Sequence, residues 1–125
     1  MTYRLGIDVG GSKILAVVMS NGKVIKKIKT PWLEKSKEWL VEFIKSLCEE
    51  YKANKVGIGC PGTIKDGKII FSPNLRFLSN FKLKDQLERL GLQARVENDA
   101  NCFGIGEYLR FKKDLIAVTL GTGIG

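Results

Sequence analysis

Two tight turns punctuate the first thirty residues, and they limit what this chain can become. Residues 4–9 (Arg-Leu-Gly-Ile-Asp-Val) and 13–20 are short apolar runs that meet at Gly10-Gly11. Asn21-Gly22 then marks a two-residue hairpin, because both positions tolerate the left-handed backbone that such a turn requires. A third run, residues 23–29, sets Val24 and Ile28 among lysines, the pattern of a strand with one wet side. Three strands joined by turns this tight predict an antiparallel meander at the start of a sheet.

The rest of the chain reads as alternating helix and strand. Pro31 is expected to stop the meander. Leu40, Phe43, Ile44, Leu47 and Tyr51 recur at helical spacing and predict a long helix over residues 34–52 with one apolar stripe. Residues 56–60 form a short apolar strand ending in Pro61-Gly62, and Lys65-Asp66-Gly67-Lys68 is a turn between two short extended pieces. A helix over 82–90 is closed by Gly91, and a fifth strand covers 94–97. A helix over 99–109 and a strand over 115–120 follow, the strand running into Gly121-Thr122-Gly123-Ile124-Gly125. The order βββαβαβ, then a further helix and strand, predicts an α/β domain with a mixed sheet and flanking helices.

Composition sets bounds on this reading. At 125 residues there is room for one domain with a modest core. No apolar run approaches the roughly 18 residues of a membrane span. Met1-Thr2-Tyr3-Arg4 leads directly into a strand without the regions of a secretory signal, so a cytoplasmic protein is expected. Cys48, Cys60 and Cys102 are widely separated in apolar surroundings, and there is no histidine; reduced, buried thiols fit better than a disulfide or a metal centre. The net charge of +8 is spread over turns and polar helix faces with no aromatic-basic ladder, so a solvated surface is favoured over nucleic-acid binding. The charge is compatible with an anionic ligand such as ATP.

Three constellations carry chemistry. In Asp8-Val9-Gly10-Gly11-Ser12-Lys13, glycines let backbone N–H groups approach phosphate oxygens, Ser12 adds a hydroxyl and Lys13 a charge. Asp8, at a strand end, is placed to hold Mg²⁺ through water. The plainer alternative is a hairpin whose glycines supply positive φ. In Glu97-Asn98-Asp99-Ala100-Asn101, polar residues follow an apolar strand, where open α/β sheets place ligands. A carboxylate there can take a proton from an attacking hydroxyl, and the plainer alternative is a helix cap. Gly121-Thr122-Gly123 is a second strand-then-glycine turn suited to phosphate. Gly57-Ile58-Gly59-Cys60-Pro61-Gly62 matches the spacing of a dinucleotide fingerprint, but its first glycines fall inside a strand and no helix follows, so that reading is rejected.

The ordered set Ile-Asp-Val-Gly-Gly-Ser-Lys, Gly-Ile-Gly-Cys-Pro-Gly, Ser-Pro-Asn-Leu, Glu-Asn-Asp-Ala-Asn and Thr-Leu-Gly-Thr-Gly-Ile-Gly resembles the ROK family of sugar kinases and sugar-responsive repressors, from about Leu5 to Gly125. The resemblance implies an actin/hexokinase-type ATPase fold built from ribonuclease-H-like domains. Residues 1–114 would form the first, and residues 115–125 the opening strand and phosphate loop of a second, truncated one. It implies that Asp8, Gly10, Gly11, Ser12 and Lys13 form the first phosphate loop and Gly121, Thr122 and Gly123 the second. Asp99 would be the general base, and Gly62, Asn74, Asn98 and Asp99 would contact the sugar. Ser12 stands where the family usually has threonine, and Leu75 is followed by Arg76-Phe77 where a tryptophan is common nearby.

The activity so implied is ATP- and Mg-dependent phosphorylation of a hexose, at the 6-hydroxyl of glucose or a related sugar, with no nucleic-acid or membrane partner and a homo-oligomeric parent protein. A zinc motif, further sugar ligands and the adenine pocket would lie past residue 125. The alternatives are a sugar-sensing transcriptional regulator of the same family and a kinase of the superfamily acting on a non-sugar substrate. The regulators carry a DNA-binding segment ahead of the sugar domain, whereas here the first strand begins at about residue 4.

Overall fold

The computed structural model describes residues 3–21 and 23–98. Strands β1 (Tyr3–Val9), β2 (Lys13–Ser20) and β3 (Lys23–Pro31) form the predicted antiparallel meander. With β4 (Lys55–Cys60) and β7 (Gln93–Asn98) they make a five-stranded mixed sheet in the order β3-β2-β1-β4-β7, in which β1, β4 and β7 run parallel. Between β4 and β7 the chain makes a small hairpin, β5 (Thr63–Lys65) and β6 (Lys68–Phe71), and a single 3-10 turn at Arg76–Leu78.

Strand periodicity decides which side chains enter the core. Leu5, Ile7 and Val9 of β1, Ile14, Ala16 and Val18 of β2, Val56, Ile58 and Cys60 of β4, and Ala94 and Val96 of β7 share one face. The same cluster holds Leu40, Ile44, Leu47 and Cys48 of helix α1 (Lys37–Glu50) and Leu83 and Leu87 of helix α2 (Leu83–Arg89). Both described helices therefore cover one side of the sheet. On β2 the other alternation is also apolar: Leu15, Val17 and Met19 form a second buried cluster with Val24. The edge strand β3 points its lysines to solvent, a usual protection of an exposed edge.

Three boundaries depart from expectation, each for a local reason. Pro31 does not stop β3 short but is its last residue, opposite Lys13, and an edge strand tolerates the missing N–H there. Helix α1 begins at Lys37 and not at residue 34, because Ser36 caps it: the Ser36 hydroxyl accepts from the Trp39 N–H at 3.1 Å and donates to the Glu34 carboxylate at 2.6 Å. Losing that cap should cost about 1 kcal/mol, so Ser36→Ala is expected to lower the urea midpoint without changing the slope of the transition. Helix α2 is shorter by one residue at each end than its apolar pattern, with Gly91 following in the left-handed region (φ +86°).

The turn at Asp66-Gly67 has φ of 52° and 79°, the twist that closes a two-residue hairpin. Cys48 and Cys60 are buried and reduced, and burial pushes the Cys48 thiol up to about 11, with the Glu49 carboxylate adding to the shift. A thiol held neutral in this way is a poor nucleophile at neutral pH. Among the described residues no helix is long and apolar enough to cross a membrane. The helix expected over 99–109, the strand over 115–120, the domain boundary after residue 114 and Cys102 lie outside the described residues.

Candidate functional site

Parallel pairing brings three strand ends to one edge. Asp8 stands level with Gly59, and Gly59 with Glu97; one residue further, Cys60 stands level with Asn98. The segments leaving β1, β4 and β7 thus start side by side at the carboxyl edge, the place where open α/β sheets receive ligands. Asp8, Gly59 and Glu97 lie on the alternation that faces away from the main core. Gly59 has no side chain to part the two carboxylates.

The corner between β1 and β2 is tight. The Gly10 N–H donates to the Lys13 carbonyl at 2.9 Å, and a Cβ on Gly10 would sit 2.7 Å from that same oxygen. Neither Gly10 nor Gly11 has a positive φ. Gly10 is therefore needed for close approach of backbone to backbone, not for a left-handed turn as in the plainer reading of the sequence, while Gly11 has room for a side chain. Gly11, Ser12 and Lys13 are exposed, while Asp8 and Gly10 are half-buried.

The sequence did not single out a partner of this corner. Trp32, the residue after β3, donates from its indole Nε1 to the Gly10 carbonyl at 2.9 Å. In the structure Pro31 pairs with Lys13 and so carries the next residue to the glycine corner. The indole is 9% exposed and is held between Trp39 of α1, at a centroid distance of 5.4 Å, and the edge-on ring of Phe77, at 5.3 Å and 89°.

The second group of candidates also converges. Gly62 has a φ of +105°, and a Cβ there would lie 2.1 Å from the Phe71 carbonyl oxygen. The Asn98 side-chain amide donates to the Gly62 carbonyl, tying the end of β7 to the turn after β4. Asn74 is exposed on the segment that follows β6, and a Cβ built on Gly11 would come within 4.0 Å of Asn74 Cβ. Buried Leu75 and Leu78 anchor that segment, and the Ser79 hydroxyl accepts from the Ser72 N–H at 3.0 Å. Asp8, Gly10, Gly11, Ser12, Lys13, Gly62, Asn74 and Asn98 thus surround one edge. Asp99, Gly121, Thr122 and Gly123 lie outside the described residues.

Gly57 and Gly59 sit inside β4, and a strand follows Gly62, which removes the dinucleotide reading. A groove of about 400 Å³ opens at the opposite, amino end of the parallel strands, between Arg4, Lys55, Lys84, Gln93 and Arg95, and shares no residue with the carboxyl edge.

Comparison with known proteins identifies the family. The chain is 38% identical over 134 residues to a glucokinase of Thermotoga maritima, covering 97% of this chain and 42% of that protein. It is 38% identical over 136 residues to an N-acetyl-D-glucosamine kinase of Histophilus somni, covering 96% of this chain and 43% of that protein. This chain therefore spans about two-fifths of the length of the curated relatives it matches. A ROK family glucokinase from Streptomyces griseus, solved with glucose and AMPPNP, superposes with a TM-score of 0.68 at 32% identity, over 85% of this chain and 36% of that one. The fold is the α/β, ribonuclease-H-like unit of the actin/hexokinase ATPases. The ROK family pattern runs over residues 4–125 of the sequence, and the chain belongs to the ROK family.

Proposed function

We propose that this chain supplies the sugar side and the first phosphate loop of an ATP-dependent hexose kinase, which transfers the γ-phosphoryl group to the 6-hydroxyl of glucose or an N-acetylated relative. The observation that carries the reading is the convergence at one carboxyl edge of the glycine corner and the Gly62–Asn98 pair, with Asn74 beside Gly11. The names of the relatives, glucokinase and N-acetyl-D-glucosamine kinase, point to gluco-configured sugars. The nucleotide in the Streptomyces griseus complex supports ATP as the donor.

In this reading Gly11, Ser12 and Lys13 receive phosphate oxygens, and Gly10 keeps the corner narrow, its own N–H being taken by Lys13. Asn98, Gly62 and Asn74 contact sugar hydroxyls. Asp99 accepts the proton of the attacking hydroxyl, and Gly121, Thr122 and Gly123 form the second phosphate loop. Mg²⁺ prefers one or two carboxylates plus water and phosphate oxygens, a demand that Asp8, with Glu97 across Gly59, is suited to meet. It would offset phosphate charge. Phosphoryl transfer depends mainly on positioning and charge neutralisation, which is what a corner of amides and a lysine supplies. Residues 1–114 make up the first domain and 115–125 open the second, in a homo-oligomeric cytoplasmic enzyme.

The test is a coupled assay of the full-length protein with ATP against a panel of hexoses and N-acetylhexosamines. Sugar-dependent turnover giving a sugar 6-phosphate is expected, with little or none from residues 1–125 alone, which lack half of the cleft. Failure of every hexose and hexosamine to accept phosphate would overturn the assignment.

A further inference from the structure

The tryptophan behind the glycine corner does more than fill space. A trans peptide holds its C=O and N–H on opposite sides of one plane, so the Gly10 carbonyl and the Gly11 N–H point in opposite directions. The Trp32 indole fixes the first at 2.9 Å and thereby aims the second, outward from the aromatic cluster at the exposed Gly11–Lys13 corner. Donation to a carbonyl also polarises the peptide and strengthens its N–H as a donor. Because Gly10 gives its own N–H to Lys13, the Gly11 amide is the backbone donor of the glycine pair left to a phosphate oxygen.

Trp32 also touches the other side of the site. Phe77 packs edge-on against it at 5.3 Å, three residues after Asn74, and Asn74 Cβ lies within 4.0 Å of a Cβ placed on Gly11. Three links run through the ring: Gly10 to Trp32 by a hydrogen bond, Trp32 to Phe77 by ring contact, and one 3-10 turn back to the segment of Asn74, which stands near Gly11. Its far wall is α1, where Trp39 packs on Trp32 and stacks on Phe43 at 5.2 Å and 10°. Sheet corner and sugar-side segment are thus braced against a common ring.

We propose that Trp32 is a positioning residue: it orients the Gly10–Gly11 peptide for phosphate and, through Phe77, ties that orientation to the segment carrying Asn74. The proposal rests on the reading that residues 8–13 receive phosphate, and its test separates the two. In the full-length protein labelled with ¹⁵N at tryptophan and glycine, one indole N–H should exchange slowly with water and vanish in Trp32→Phe, while the Gly10 and Gly11 amide resonances move. The phenyl ring retains the aromatic packing but has no donor. Kinetically, Trp32→Phe should raise KM for ATP roughly three- to tenfold, the value of one hydrogen bond, with kcat and KM for the sugar within about twofold of the parent. Trp32→Ala, which also loses the Phe77 contact, should raise both KM values.

A Trp32 indole proton that exchanges freely in the unaltered protein would overturn the proposal without any variant being made. Unmoved glycine resonances in Trp32→Phe, or an unchanged KM for ATP, would do the same. If the protein phosphorylates no sugar yet the glycine resonances move and the indole proton is protected, the orienting role of Trp32 stands and the kinase reading is what fails.

Discussion

Asp99→Asn is expected to cut kcat of the full-length protein by about 10²- to 10⁴-fold, the usual contribution of a positioned general base. The amide is nearly the same shape as the carboxylate, so sugar and ATP should still bind with KM values within a few-fold of the parent, and the thermal midpoint should stay within a few degrees. Asp99 follows Asn98, whose side chain is tied to the Gly62 carbonyl where the parallel strands end. Asp99 itself lies outside the described residues, and its role as base is that of the proposed function. Steady-state assays of the variant check this, and a variant retaining more than about a tenth of the parent rate would remove Asp99 from the role of base.

Gly62→Ala is expected to be strongly destabilising. Two costs add. At φ +105° an L side chain is strained by roughly 1–3 kcal/mol. The new Cβ would also lie 2.1 Å from the Phe71 oxygen and 2.9 Å from Ser72 Cα, both backbone atoms that cannot swing aside. Displacing the β5–β6 hairpin to make room should add roughly 1–3 kcal/mol more. Gly91→Ala is the control, because Gly91 also has a positive φ (+86°) but meets nothing within 4 Å; only the strain, about 1–2 kcal/mol, should remain. Denaturation of both variants gives the comparison. Equal stability of the two would show that the Phe71 contact carries no cost. Because the Gly62 carbonyl receives the Asn98 amide, the same substitution should, on the proposed function, weaken sugar binding in whatever fraction folds.

Much of this architecture could be read from residue order. The meander follows from period-two apolar runs and tight turns, and α1 from the stripe of Leu40, Ile44 and Leu47. The candidate residues of β1, β4 and β7 were legible because each ends an apolar run with glycine or a polar side chain. What was hidden is what depends on register. That Gly10 is required by the approach of the Lys13 carbonyl, and not by its φ, becomes visible only once the corner is built. Trp32 drew no reading from the sequence; its hydrogen bond to Gly10 follows from the Pro31–Lys13 pairing, which no local pattern encodes. The start of α1 was misplaced for a comparable reason, since Glu34 suits a first helical turn but the Ser36 hydroxyl captures the Trp39 N–H first.

The strand order also bears on when the carboxyl edge can form during folding. β1, β2 and β3 are neighbours in sequence as in space, so their pairing closes short loops and can form early. The β1–β4 contact must wait for α1, and the β4–β7 contact for the hairpin and α2 as well. Asn98 reaches Gly62 only when this last, most distant strand has docked. Among the described strands, the carboxyl edge is thus expected to be completed last. Amide protons should record the order: those of β1 and β2 gain protection from solvent first, and those of β7 last.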